Sequence, residues 1–158
     1  MKTKRSMRRG LSLIELMIIV AILGILAAIV LPTFSNANET AKASSLQSQL
    51  NTVKKALLLY KTDHNDLYPT DTQLITNQWQ ALTNTTDIDG EISGSEYGPY
   101  FQKPPINAFK NTSVVAADNS AAWQYDASTG RIHAVVPSTI SSQAADLQLD
   151  PVDLVVEP

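Results

Sequence analysis

Two hydrophobic patterns follow one another in the first 63 residues. Residues 16–31 are sixteen consecutive positions without a polar side chain, and the apolar run extends back to Leu11, interrupted by Ser12 and Glu15. A helix of these 21 residues would be about 31 Å long at 1.5 Å per residue, which is close to the hydrocarbon thickness of a bilayer. The pattern therefore predicts a transmembrane helix over residues 11–34.

After residue 34 the apolar positions are confined to one helix face. They recur at spacings of four, three, four and three residues: Leu46, Leu50, Val53, Leu57 and Tyr60. Such a stripe predicts an amphipathic helix over residues 35–63 that packs against a domain core. The helix should end near His64, before Tyr68-Pro69. Together the two patterns predict one long helix from about Leu11 to Asp63.

The remaining chain predicts a short helix and a small sheet. Thr70-Asp71 can cap a helix at about 70–83, and residues 83–98 have the composition of a loop. We expect the apolar face of the short helix to consist of Leu74, Ile75, Trp79 and Leu82. Strands are predicted at 112–117, 122–126 and 131–136, and Gly130 provides a turn between the last two. Alternation places Trp123 and Tyr125 on one strand face. The prediction is an α+β fold, with the long helix packed against an antiparallel sheet at about 110–137.

Charge divides the chain into two parts. Five of the twelve basic residues lie in residues 1–10, whereas residues 11–158 carry the other seven and all fifteen acidic residues, a formal net charge of −8. The positive-inside rule places such an N-terminus in the cytoplasm and the globular domain, residues 35–158, outside it. So acidic a domain lacks the basic surface that binds nucleic acid. The acidic tail, residues 138–158, can be either disordered or an added edge strand.

The N-terminal segment has three possible interpretations. A secretory signal peptide would be cleaved after Ser35-Asn36-Ala37, but the apolar run is longer than usual for that class and Glu15 interrupts its start. A simple one-pass anchor explains the length but not Glu15. The third interpretation comes from residues 10–17, GLSLIELM, which resemble the class III signal of type IV pilins and type II secretion pseudopilins. Leu11 replaces the usual phenylalanine, while Gly24 and Pro32 stand at the offsets found in that family.

Two further segments resemble the major pseudopilins of type II secretion. They are ALLLYKTDHNDLYPT, residues 56–70, and the connection that contains Gly98-Pro99-Tyr100-Phe101, Pro104 and Asn107. The resemblance implies a pilin-like fold. It also implies that prepilin peptidase removes residues 1–10 by cleaving between Gly10 and Leu11, and that Leu11 is then N-methylated.

The resemblance also implies a role for Glu15 in assembly. A carboxylate at the centre of a membrane helix costs about 2.5–3.5 kcal/mol, and less near an end. Glu15 lies in the first turn of the mature helix, where the helix dipole favours negative charge. In a bundle of such helices its natural partner is the new α-amine of Leu11 in a neighbouring subunit. The segment between Gly24 and Pro32 would extend when subunits enter a filament, although an ordinary kink at Pro32 is equally consistent with the sequence.

The function predicted from this resemblance is that of a structural subunit of a type II secretion pseudopilus. Implied partners are further copies of the chain, minor pseudopilins, prepilin peptidase, the assembly platform protein with its ATPase, and the lipid bilayer. Implied locations are the inner membrane, as a single-pass protein, and then a periplasmic filament. One alternative is a type IV pilin for adhesion, motility or DNA uptake. The other is a soluble exported binding domain released after Ala37.

The sequence offers little support for an enzyme or a cofactor protein. His64 and His133 are far apart in sequence and are predicted to be surface residues, and neither a catalytic triad nor a phosphate loop occurs. Asp87-Ile88-Asp89-Gly90-Glu91 is rich in oxygen ligands, but its spacing departs from that of calcium loops. The family's calcium-binding signature is not recognisable either. We therefore predict no enzyme activity, no cofactor and no bound metal.

Overall fold

The computed structural model describes residues 12–92 and 94–158, and within residues 29–36 it describes the helix backbone but not the side chains. Helix α1 spans Leu13–Asp63, 51 residues, and confirms the predicted long helix. Asn65 and Asp66 adopt positive φ values of 53° and 64° just beyond its end. The amide of Asp66 donates to the carbonyl of Lys61 at 3.0 Å, which satisfies one of the last helical carbonyls.

The chain forms two compact units, one up to Asn38 and one from Glu39 to Pro158. In the second unit the predicted stripe of α1 is the centre of the core. All five of its side chains are at most 2% exposed: Leu46, Leu50, Val53, Leu57 and Tyr60. Trp79, Trp123 and Tyr125 pack into the same cluster. The 3.6-residue period of the stripe thus locates the core correctly.

The segment after α1 is not the continuous short helix that the sequence predicts. It consists of a π-helical turn, Thr72–Thr76, and a one-turn helix α2, Gln80–Thr83. Between them Gln78 and Trp79 adopt positive φ values of 46° and 70°. The break has a tertiary cause, because the Gln78 side chain bonds both the amide and the carbonyl of Val115, at 3.2 and 2.9 Å. Thr70 does cap the segment, through reciprocal bonds with Gln73.

Four strands form one sheet in the order β1-β2-β3-β4. They are β1 (Val115–Ala116), β2 (Trp123–Asp126), β3 (Arg131–Val136) and β4 (Leu154–Val156). The predicted β2–β3 hairpin is confirmed, with Gly130 at φ 68° in its turn. The α+β class is confirmed as well, but the sheet is mixed rather than antiparallel, because β1 and β4 pair in parallel with their neighbours.

The acidic tail supplies β4, which pairs with β3 in parallel. Residues 137–153 contain helix α3 (Ser138–Ser142) and a 3₁₀ turn (Pro151–Asp153), and they carry the chain back to the middle of β3, where Leu154 pairs with Ala134. A crossover of this length is what a parallel pair requires. Lys54 of α1 forms an ion pair with Asp153, and Lys110 forms one with Glu157 at 2.9 Å. Of the two alternatives for the tail, the edge strand is therefore correct.

Candidate assembly surface

Glu15 lies in the first turn of α1, where the sequence places it. Its Oε2 atom accepts a hydrogen bond from the backbone amide of Ser12 at 2.7 Å. Residues 12–15 therefore form half of a capping box, in which the glutamate satisfies an amide that the helix leaves free. The Ser-x-x-Glu spacing was visible in the sequence but was not used in the prediction. Because the residue is exposed, its carboxylate is also accessible to other molecules.

No other described residues cover the apolar side chains that surround Glu15. Eleven large apolar residues are between 46% and 77% exposed: Leu13, Ile14, Leu16, Met17, Ile18, Ile19, Val20, Ile22, Leu23, Ile25 and Leu26. They follow one another around the whole circumference of the helix rather than forming one stripe. A helix that is apolar on every side is stable in water only when other molecules surround it.

The structure describes only part of the predicted transmembrane helix, residues 11–34. Leu11 is outside the described residues, and so are the side chains of residues 29–34. Among the helices of the described residues, none is long and apolar enough to cross a membrane.

The other predicted assembly residues are described to different degrees. Gly10 and Leu11, the predicted cleavage and methylation positions, lie outside the described residues. Pro32 lies within α1, which is continuous through it, but its side chain is not described. A Cβ atom on Gly24 would have no neighbour within 4 Å. Nothing in the described part of the chain therefore requires glycine at position 24 for steric reasons.

His64 is buried, contrary to the prediction that it is a surface residue. It is 2% exposed and stacks on Tyr60 with ring centroids 3.7 Å apart. Its Nδ1 lies 2.7 Å from the carbonyl oxygen of Tyr60 and its Nε2 lies 2.9 Å from Oγ1 of Thr86. A carbonyl oxygen only accepts, so Nδ1 carries the proton and both ring nitrogens are used. The histidine joins the end of α1 to the loop at Thr86, and a single sequence offers no signal for that contact.

The acidic turn at residues 87–91 is organised by its own backbone. The carboxylate of Asp87 accepts from the amides of Asp89 and Glu91 at 3.1 and 2.8 Å. Gly90 has a φ of 81°, and a Cβ there would lie 2.0 Å from the hydroxyl oxygen of Tyr60. Within the described residues, no three carboxylate or histidine side chains are grouped so that they could hold a metal ion. The absence of a metal site stays a prediction.

The connection that contains Tyr100 and Asn107 makes hydrogen bonds to the end of α1 and to the sheet. The hydroxyl of Tyr100 donates to Oδ2 of Asp63 at 2.9 Å. Burial, followed by this hydrogen bond, raises the pKa of Tyr100 well above its ordinary value. Asn107 is fully buried, and its side-chain amide donates to the carbonyls of Ala122 and Val135 at 2.9 and 2.8 Å. Tyr100 thus joins the loop to the end of α1, and Asn107 joins it to the sheet.

Comparison with known proteins places these features in a family. The prokaryotic N-terminal methylation motif matches residues 5–31. A type II secretion system core protein G of Klebsiella michiganensis is 36% identical over 102 residues, 65% of this chain and 68% of that protein. The corresponding protein of Vibrio cholerae is 37% identical over 108 residues, 68% of this chain and 70% of its own length. A fimbrial protein of Neisseria meningitidis is 33% identical over 114 residues, 72% of this chain and 59% of that protein. No solved structure matches the chain significantly.

Proposed function

Because this chain belongs to the family of type II secretion system core protein G, we propose that it is the repeating structural subunit of a type II secretion pseudopilus. The observation that carries the proposal is the uncovered apolar helix of residues 13–26, which is joined in one continuous α1 to a fully packed domain. Burial of apolar surface is the main driving force for association. Contacts that repeat without closing convert such association into a filament.

In this proposal Glu15 selects the register of each incoming subunit. Among the described residues its carboxylate accepts one hydrogen bond, from the amide of Ser12, which leaves acceptor positions for the α-amine of Leu11 in a neighbour. A charge pair formed away from water is far stronger than an exposed one, and an unpaired carboxylate there is costly. Subunits would therefore enter the bundle only where the pair can form.

The proposal extends to processing, location and partners. Prepilin peptidase would cleave after Gly10 and methylate Leu11, and residues 11–34 would anchor the chain in the inner membrane with its N-terminus in the cytoplasm. An assembly platform protein with its ATPase would add subunits, and minor pseudopilins would join the same periplasmic filament. The prepilin motif over residues 5–31 supports this account. Since polymerisation is non-covalent, the subunit would need neither cofactor nor active site.

The proposal can be tested in cells that contain the secretion machinery. Intact mass and fragmentation of the mature protein should give a chain that begins at methylated Leu11, and overproduction should give filaments that can be sheared from cells. Glu15→Gln should abolish filaments while the protein stays processed and membrane-bound. Glu39→Gln is the matched control on the same helix and should assemble normally. A mature chain that starts at Asn38 would instead favour the exported soluble domain.

The fimbrial match supports a second candidate, a type IV pilin for adhesion, motility or DNA uptake. Both candidates require the same cleavage and the same helix bundle, so the Glu15→Gln experiment does not separate them. Deletion of the gene does. Loss of secreted enzymes from the medium, with motility and DNA uptake unchanged, would favour the pseudopilus, and the reverse pattern would favour the pilin.

A further inference from the structure

One flank of the domain carries an apolar groove of about 360 Å³. We call it the proline groove, and its apolar lining consists of Val53, Phe101, Pro104, Pro105 and Ile106. Ile106 is 52% exposed, although apolar residues surround it. Proline and aromatic walls change little on binding because their side chains have few rotatable bonds. The groove is therefore a preformed surface that is suited to an apolar side chain.

Two polar groups in this groove lack partners. The Oε1 atom of Gln49 is buried and accepts no hydrogen bond, although buried acceptors are nearly always paired. Lys103 is exposed and forms no ion pair with any described residue. An occupant that pairs with exposed Lys103 thus brings a negative charge in addition to an apolar side chain.

A second surface of the same domain has the complementary chemistry. We call residues 148–152 the valine tip, after Val152, which is 71% exposed. Leu58 of α1 is 59% exposed and lines the same cavity as Val152. Asp150 is exposed, and Gln148 carries an amide donor at the start of the tip.

The valine tip is held in a fixed conformation. The carboxylate of Asp150 accepts from the amide of Val152 at 3.0 Å, and the ion pair between Asp153 and Lys54 ties the following residue to α1. The carbonyl of Val152 also lies 3.0 Å from Nδ1 of His133. A tip held at both ends loses little conformational entropy when it binds.

The two surfaces lie on opposite flanks of α1. At 100° per residue, Gln49 and Thr52 lie on one side of the buried stripe, whereas Lys54 and Leu58 lie on the other. Gln49 and Thr52 line the proline groove, and Lys54 and Leu58 line the cavity beside the valine tip. An open polymer needs such an arrangement, in which two different patches on one subunit face two different neighbours.

We propose that the proline groove of each subunit receives the valine tip of the next copy of this chain in the filament, with Val152 against Ile106 and Asp150 paired with Lys103. This interface rests on the proposed polymerisation and adds to it a contact between the globular domains. The apolar contact supplies affinity, and the charge pair fixes which edge of the tip faces Lys103.

The absence of native cysteine makes cross-linking a direct test. The double variant Ile106→Cys with Val152→Cys is produced in full-length chain, filaments are sheared from cells and oxidised, and the products are separated without reductant. We expect a ladder of dimers, trimers and longer oligomers, because each subunit would then be bonded to two neighbours. The matched control is Ile106→Cys with Leu67→Cys, since Leu67 is 66% exposed and outside both surfaces. It should give no ladder.

The possible results distinguish a failure of this interface from a failure of polymerisation. If the unmodified protein forms no filaments, the proposed function fails and the interface fails with it. If filaments form but the ladder is absent, or equals that of the control pair, only the interface is overturned. Cross-linking of Ile106→Cys to a protein other than this chain would overturn it too. Both cysteine positions are exposed, so the fold should be kept, which circular dichroism checks.

A double-mutant cycle on the charge pair provides an independent measurement. Lys103→Ala and Asp150→Asn should each reduce the yield of sheared filaments, and the double variant should be no worse than the more defective single variant. Asn keeps the oxygen that caps Val152, so the tip conformation is preserved. Lys55→Ala, an exposed position of α1 that lines neither surface, should leave the yield unchanged. Additive losses would contradict the pairing.

Discussion

Leu23 and Leu50 belong to the same helix and differ in almost every other respect. Leu23 is 58% exposed in a segment whose large apolar side chains are all exposed, whereas Leu50 is 0% exposed in the centre of a core. The difference follows from where the apolar residues lie around the helix rather than from their being apolar. Around Leu50 the apolar residues form one stripe that a sheet covers, whereas around Leu23 they cover the whole circumference. The apolar stripe from Leu46 to Tyr60 is thus covered by the same chain, whereas the apolar surface of residues 13–26 needs other molecules to cover it.

Truncation of each leucine to alanine tests the difference between the two helix segments. Leu50→Ala should lower the free energy of unfolding by about 2–5 kcal/mol, because it leaves a cavity in the core. Leu23→Ala should change it by less than about 0.5 kcal/mol, since the side chain has no cover to lose. Urea unfolding of the full chain in detergent, followed by circular dichroism, measures both. Equal losses would show that the helix segment around Leu23 also contributes to the folded domain.

Removal of a buried polar contact tests how the domain from Glu39 to Pro158 is held together. Asn107→Ala should cost about 1–3 kcal/mol, because the carbonyls of Ala122 and Val135 lose their donor in the core. Asn119→Ala is the control. It removes one bond near the surface, from Asn119 to the carbonyl of Val156, and should cost about 0.5–1.5 kcal/mol. The same urea titration reports both, and equal costs would mean that the position of Asn107 in the core is unimportant.

Two glycine substitutions test the same difference at the backbone. Gly130→Ala should destabilise the domain by about 1–2 kcal/mol, because a left-handed φ penalises a side chain. Its Cβ would also lie 2.4 Å from the Tyr68 ring. Gly24→Ala has free space around it, and should leave unfolding unchanged or raise helix stability by about 0.5–1 kcal/mol. If Gly24→Ala nevertheless reduces filament yield, close approach between subunits is the cause.

The last effect that we predict is a loss of stability of the globular domain in alkali. Burial, and then the charges of Asp87 and Glu91, raise the pKa of Tyr60 to about 12. A raised pKa means that the stabilisation is complete below the ordinary value of 10.0 and is lost as the pH rises towards 12. Stability measured from pH 9 to pH 12 should therefore fall. In Tyr60→Phe the fall should be smaller but present, because burial also raises the pKa of Tyr125. An unchanged slope in Tyr60→Phe would contradict this assignment.

Local contacts determined what the sequence predicted correctly. The stripe from Leu46 to Tyr60, the end of α1 before Asn65 and the Gly130 hairpin all depend on residues within a few positions of one another. Helical period, left-handed caps and turn glycines are properties of such short segments. The prepilin motif around Glu15 is equally local, which is why residues 5–31 suffice to match it.

Contacts between distant segments decided the rest. The break at Gln78 depends on Val115, the burial of His64 depends on Thr86, and the parallel edge of the sheet depends on a tail that pairs with β3 and reaches back to Lys54. Each joins residues at least 20 positions apart. No local pattern encodes which partner such a residue meets, because the partner is chosen by packing of the whole chain. Residues close together in the sequence thus specify α1, with its uncovered apolar segment and its buried stripe. Contacts between distant segments specify the break before α2, the parallel edge of the sheet and the grooves on the domain surface.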